Sequence, residues 1–212
     1  VISLVVALEP EAFCMDGTYA YTPPTTRSRS GPAREMYTIR ALLRNTSVMV
    51  FACFVSKMTY SEYKRILESF KDMLVTAGAD LKKVVFLSDF QRAVIKARKT
   101  VFPLATHHGC IVHLHRAMNT QLVKKGLSVE LKHKEVSEWI SRLRSLFFLP
   151  PNLYSRSGVL NVPIGQSHPA FHKCVDFLNY YKLTWISLPE DLTNKFMQEK
   201  HRSTNSIEAW HS

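Results

Sequence analysis

The chain has 212 residues, 46% hydrophobic and 21% charged. That excludes a disordered or fibrous polypeptide and allows one ordinary domain with a core, with room for an insertion. A net charge of +11 and a pI near 9.6 favour a polyanionic partner, nucleic acid before a membrane surface. Cys14, Cys53, Cys110 and Cys174 are too widely spaced for a disulfide framework and point to a reducing, intracellular compartment.

The opening run VISLVVAL is apolar but too short to span a bilayer, lacks a basic leader, and is followed by Glu9 and Glu11, so it reads as a strand or core segment. The chain begins at Val and stops inside an apparent helix, which suggests a piece of a longer protein. Residues 12–21, AFCMDGTYAY, alternate as a strand carrying Asp16, and Gly17 suits a bulge or a close backbone approach. Residues 22–32, rich in Pro, Ser, Thr and Gly, form a loop. Met36–Leu43 and Val48–Val55 read as strands joined by a turn over 44–47, so that three strands make an antiparallel meander.

Thr59–Ala77 has the clearest helical spacing, with Tyr63, Ile66, Leu67, Phe70, Met73, Leu74 and Ala77 on one face. Thr59 and Glu62 form a capping-box pattern, and Gly78 is placed to end the helix. Val84–Leu87 is a short apolar run of the kind that forms a buried strand. After it, Phe90, Ala93, Val94, Ala97 and Val101 recur at helical spacing, with Ser88 placed as the cap and Pro103 as the stop. Leu104–Cys110 reads as one more strand. The order is then β-β-β-α-β-α-β, an α/β class with a mixed five-stranded sheet and helices on it. Beyond it, three helical faces follow: Leu114, Ala117, Met118 and Leu122; Val136, Trp139, Ile140, Leu143, Leu146 and Phe147; and Phe171, Cys174, Val175, Leu178 and Tyr181. Residues 152–166 and 183–200 are looser.

Asp89 stands where a buried strand hands over to a helix. Ligands of open α/β sheets bind outside the carboxyl ends of strands, although an Asp at this place is also an ordinary helix cap. If the first and fourth strands are neighbours, Asp16 faces Asp89. Two close carboxylates repel, and a divalent cation resolves the repulsion. Mg²⁺ accepts hard oxygen ligands and uses one or two carboxylates together with substrate phosphates. A two-ion site needs a third acid. Glu208, three residues after Asn205, is available, although the pair also reads as a helix cap with its capping box.

Four motifs in order, DGT at 16–18, SDF at 88–90, Cys110-x-x-His113 and RSTNSIEAWH at 202–211, with Phe102-Pro103 before the third, resemble the transposases of Mutator-like elements, the MULE transposase domain. The resemblance implies an RNase H-like core over 1–113, an α-helical insertion over 114–201, and over 202–212 the start of a core helix, cut short, that carries the last acid. It implies a catalytic DDE triad of Asp16, Asp89 and Glu208 binding two Mg²⁺ or Mn²⁺ ions. It places Cys110 and His113 as packing or hydrogen-bonding support beneath the acids, and Arg202 and Asn205 against the DNA backbone. Asp16 and Asp89 are 73 residues apart, which fits a meander plus one crossover, and the 119 residues from Asp89 to Glu208 require the helical insertion.

The activity implied is metal-dependent DNA strand cleavage and strand transfer in the nucleus, on double-stranded transposon ends and target, with room for a homo-oligomer and no membrane. Enzyme ancestry and present activity are separate questions. The alternative is a domesticated, inactive DNA-binding or protein-interaction module, and a weaker one is a nuclease acting on RNA. Zinc held by Cys110 and His113 with His107, His108 or His115 is disfavoured, because the cluster holds a single Cys.

Overall fold

A computed structural model describes residues 1–18, 35–44, 46–198, 200 and 202–203. The loop at 22–32 and the last residues of the first predicted strand lie outside them. The described residues form two compact units, Val1–Cys110 with Ser203, and Ile111–Arg202.

In the first unit, a short helix α1 (Ile2–Ala7) precedes β1 (Ala12–Thr18), β2 (Glu35–Leu43) and β3 (Thr46–Val55). Helix α2 (Tyr60–Thr76), strand β4 (Val85–Ser88), helix α3 (Arg92–Val101) and strand β5 (Thr106–Gly109) follow. The sheet is five-stranded in the order β3-β2-β1-β4-β5. β1 pairs antiparallel with β2 and β2 with β3, whereas β1–β4 and β4–β5 are parallel. The β-β-β-α-β-α-β order read from the sequence is therefore present, preceded by a helix where a strand or core segment was expected. A six-residue helix is marginal alone. This one is held by Ile2, Val5 and Val6 packing on the main core.

Alternation in the strands sorts the sheet into two faces. Phe13 and Met15 of β1, Tyr37, Ile39 and Ala41 of β2, and Phe86 of β4 join Tyr63, Leu67, Phe70 and Leu74 of α2 and Val94, Ala97 and Val101 of α3 in one core. Ala12, Cys14, Leu42 and Leu87, of the opposite parity, make a smaller cluster with Val85. Phe70 sits at the centre of the larger core, its ring 5.2 Å from Phe13 edge-on, 6.1 Å from Phe51 and 6.5 Å from Phe102.

The punctuation of α2 is as its residues dictate. Thr59 accepts from the Glu62 amide through its hydroxyl. Gly78 takes φ +80°, a conformation that costs a side chain-bearing residue strain, while the Ala79 amide returns to the Leu74 carbonyl. Ser88 behaves differently from its expected role as the cap of α3. It is the last residue of β4, and Gln91 is the N-cap of α3 without a side-chain cap bond.

The second unit is helical: α4 (Ile111–Lys124), α5 (Lys134–Ser145), α6 (Phe171–Tyr181) and α7 (Glu190–Thr193), linked by 3-10 turns and by a π turn over Lys182–Ile186. Leu114, Met118 and Leu122, then Val136, Trp139, Ile140 and Leu143, then Cys174, Leu178 and Tyr181 are all buried, joined by Phe177. Two polar groups carried inside find backbone partners: Trp139 Nε1 donates to the Val159 carbonyl at 2.8 Å and the Tyr181 hydroxyl to the Leu143 carbonyl at 2.9 Å. No helix of the described residues is long and apolar enough to cross a membrane.

Phe70→Ala should lower unfolding stability by about 3–5 kcal/mol, the range for emptying a buried aromatic site. Val75→Ala on the exposed side of the same helix should stay within about 0.5 kcal/mol. Paired denaturant titrations read both, and equal losses would remove Phe70 from the centre of the core.

Candidate active site

The parallel register of β1 on β4 runs Phe13↔Phe86, Cys14↔Leu87, Met15↔Ser88. Asp16 follows Met15 and Asp89 follows Ser88, so each aspartate is the next residue after the last pair of this register, toward the carboxyl ends of adjacent strands. Asp16 shares the parity of Ala12 and Cys14. It stands opposite Thr38 of β2, whose hydroxyl donates to the Asp16 carbonyl at 3.3 Å.

Each carboxylate is held locally. Asp16 Oδ1 accepts from the Gly17 amide at 3.0 Å, and Asp89 Oδ1 from the Gln91 amide at 3.0 Å. Asp89 thus closes a small turn over the strand end, and both residues are half-buried. The turn binds the main chain two residues on, just ahead of α3, whose N-cap is Gln91.

A third acid, which the sequence reading passed over, lies near enough for the charge of Asp89 to act on it. Glu35, 3% exposed, begins β2, and the Tyr63 hydroxyl donates a short hydrogen bond to its Oε1. Gly17 lies against its carboxylate so closely that a Cβ at Gly17 would collide with Oε2. That is the close approach which a glycine after Asp16 suggested. Burial pushes the Glu35 carboxyl above its usual range, the Tyr63 hydrogen bond pulls it down, and the charge of Asp89 pushes it up again. The buried Tyr37 phenol is also raised, first by burial and next by Asp89, with Glu35 and Asp16 contributing. Its hydroxyl has no hydrogen-bond partner among the described residues. One signal could have marked Glu35: an acid that opens an apolar strand run.

Behind Asp89 the polar contacts are buried. The Ser88 hydroxyl lies 2.8 Å from His107 Nε2 and donates to the Asp89 carbonyl at 2.7 Å. The Arg98 Nε donates to His107 Nδ1 at 3.2 Å. His107 is fully buried on β5, with both ring nitrogens engaged. Cys110, buried, donates its amide to the Ser88 carbonyl at 2.8 Å.

His113 belongs to the first turn of α4 in the second unit, and His115 there lies 3.1 Å from the Arg144 carbonyl through Nε2. Burial pushes the His115 ring below its usual pKa. Arg202 stacks over Phe148 at 5.3 Å and its Nε donates to the Gln198 carbonyl. Asn205 and Glu208 lie outside the described residues. Among the described residues no three His, Cys, Asp or Glu side chains form a group that could hold a metal ion.

In metal-free protein, Glu35→Gln should melt higher than the wild type at about pH 8 and close to it at about pH 4. A raised folded-state pKa means that the native protein holds its proton more tightly than the unfolded chain. Stability is then lost as pH rises through the folded value, whereas Gln keeps the acceptor for Tyr63 without a charge. A melting-temperature gap that does not vary with pH would show that Glu35 is not ionising under strain.

No curated protein matches the chain. The family model of the MULE transposase domain matches residues 13–117. That span contains the strands leading to both aspartates and the Cys110-x-x-His113 motif, and over it the chain is similar to the MULE transposase domain family.

Proposed function

We propose that this chain is the catalytic part of a Mutator-like DNA transposase, an RNase H-like core with a helical insertion, which cuts and joins DNA strands at Asp16 and Asp89. The observation that carries the reading is the parallel β1–β4 register. It brings two aspartates 73 residues apart in sequence to adjacent strand ends, inside the stretch that matches the family. In the same reading the core spans 1–113, the insertion 114–201, and 202–212 returns with Glu208 as the third acid. The protein would work in the nucleus.

The donor set suits a hard divalent cation. Two carboxylates at adjacent strand ends are what Mg²⁺ takes when substrate phosphates complete its shell. Asp16 and Asp89 would hold it, with Glu208 completing a two-ion set. When bound, Mg²⁺ or Mn²⁺ supplies positive charge at the attacking and leaving oxygens of the phosphodiester. The chain's own contributions are positional. The Gly17 and Gln91 amides each hold one oxygen of an aspartate, and each acid therefore meets its ligand in a set direction. Cys110 anchors the end of β4 through its amide; His113 would support the same region. Arg202, Asn205 and the basic surface would hold the DNA backbone, since a net charge of +11 concentrates phosphate near the protein before any specific contact.

Asp89→Asn in a full-length protein should abolish Mg²⁺- and Mn²⁺-dependent strand cleavage and leave duplex binding within about twofold. Asn keeps the shape and the turn to Gln91 but loses the charge that holds the cation. Wild-type-like cleavage by the variant would remove Asp89 from the chemistry. Inactivity of both proteins with intact DNA binding would favour a domesticated binding module.

Duplex affinity should fall steeply with salt, with a log–log slope of about −0.9 for each phosphate neutralised. A flat response across a salt series would argue for a protein partner instead of DNA.

A further inference from the structure

We propose that Arg98, His107 and Ser88 are positioning residues for Asp89: a buried, one-directional relay of hydrogen bonds that pins the Asp89 main chain and so aims its carboxylate. Arginine has donors only. Its Nε donates to His107 Nδ1 at 3.2 Å, and a terminal nitrogen donates to the Ala105 carbonyl at 2.9 Å. His107 Nδ1 must therefore be the nitrogen with the lone pair, and the ring carries its hydrogen on Nε2. That N–H points at the Ser88 hydroxyl at 2.8 Å, and the hydroxyl spends its single hydrogen on the Asp89 carbonyl at 2.7 Å.

Each step determines the next. Arg98 is 7% exposed, His107 0% and Ser88 1%, so water does not compete for these bonds, and breaking one leaves a buried polar group unsatisfied. Asp89 is then held twice, at its carbonyl by Ser88 and at its Oδ1 by the Gln91 amide. Two fixed points on one residue leave its carboxylate little freedom, which is what a metal-holding or charge-holding acid needs from its support. The aiming role rests on Asp89 acting as proposed above; the relay and its tautomer do not.

The test uses the full chain. Nitrogen NMR of the histidine rings should find His107 neutral, with hydrogen on Nε2 and not on Nδ1. Ser88→Ala, a small change at a buried site, should speed hydrogen exchange of the Gln91 amide by about tenfold and weaken Mn²⁺ binding by about 10- to 100-fold. Duplex affinity should not change. His107→Gln, whose amide nitrogen can still reach Ser88, should keep more Mn²⁺ affinity than His107→Phe. A circular-dichroism melt of each variant checks folding. An imidazolium, the Nδ1–H tautomer, or wild-type Gln91 exchange in a folded Ser88→Ala variant would overturn the relay. If the wild-type protein binds no Mn²⁺ and cuts no DNA, the functional reading falls, and the tautomer with Gln91 exchange decides the relay alone.

Discussion

Everything at the candidate site depends on the parallel pairing of β1 with β4. Its register is set on the far side from Asp16, by aromatic packing. Phe13 meets Phe70 at 5.2 Å, Phe86 meets Phe102 at 4.9 Å, and Phe13 and Phe86 lie 6.3 Å apart. A slip of one residue would turn these rings out of the core, so the hydrophobic face enforces the register that aligns the acids. The polar site is thus specified by apolar residues that never touch it. For the same reason, a core variant that tolerates a shifted strand would lose the site before it lost the sheet.

Much of the fold was legible because periodicity is a local signal. The face of α2 and the three helical faces after Cys110 follow from spacing alone, and every buried residue of α2, Tyr63, Leu67, Phe70 and Leu74, was among those read from it. The two strands carrying Asp16 and Asp89 were legible too, but their adjacency is a tertiary fact that the sequence could offer only as a condition. Ile2–Ala7 is the core segment that its apolar run allowed, but its helical form stayed open because a run of six or so apolar residues fits a strand or a helix equally well. Its helical state comes from packing on the core and not from propensity.

Ser88 shows why polar residues are harder. As a Ser before a helical pattern it resembles a cap, and propensity assigns it to the helix. The actual competition was between a helix amide and a buried histidine nineteen residues later, and the histidine holds it. Glu35 was missed for a related reason. Its partner Tyr63 is on another element, twenty-eight residues on, and nothing in the local pattern connects them. Around Cys110 and the histidines of 107–115, residue type allowed zinc only weakly, and their hydrogen bonds give His107 and His115 separate structural tasks.

The sheet also has an order of assembly written into it. β2 and β3 are joined by a two-residue connection, with Leu43 paired to Thr46, so their closure is local and such hairpins form in roughly 1–10 μs. The β1–β4 pairing must instead wait for β4, because Met15 pairs with Ser88 across 73 residues that include the whole of α2. Closing a loop of that length carries an entropic cost that only the packed helix can offset, and non-local parallel pairing is the slow part of such topologies. On a chain emerging from a ribosome, the hairpin would be complete while the partner of Asp16 had yet to be synthesised. The two acids therefore come together only late in folding, after the hydrophobic face that aligns them has begun to close.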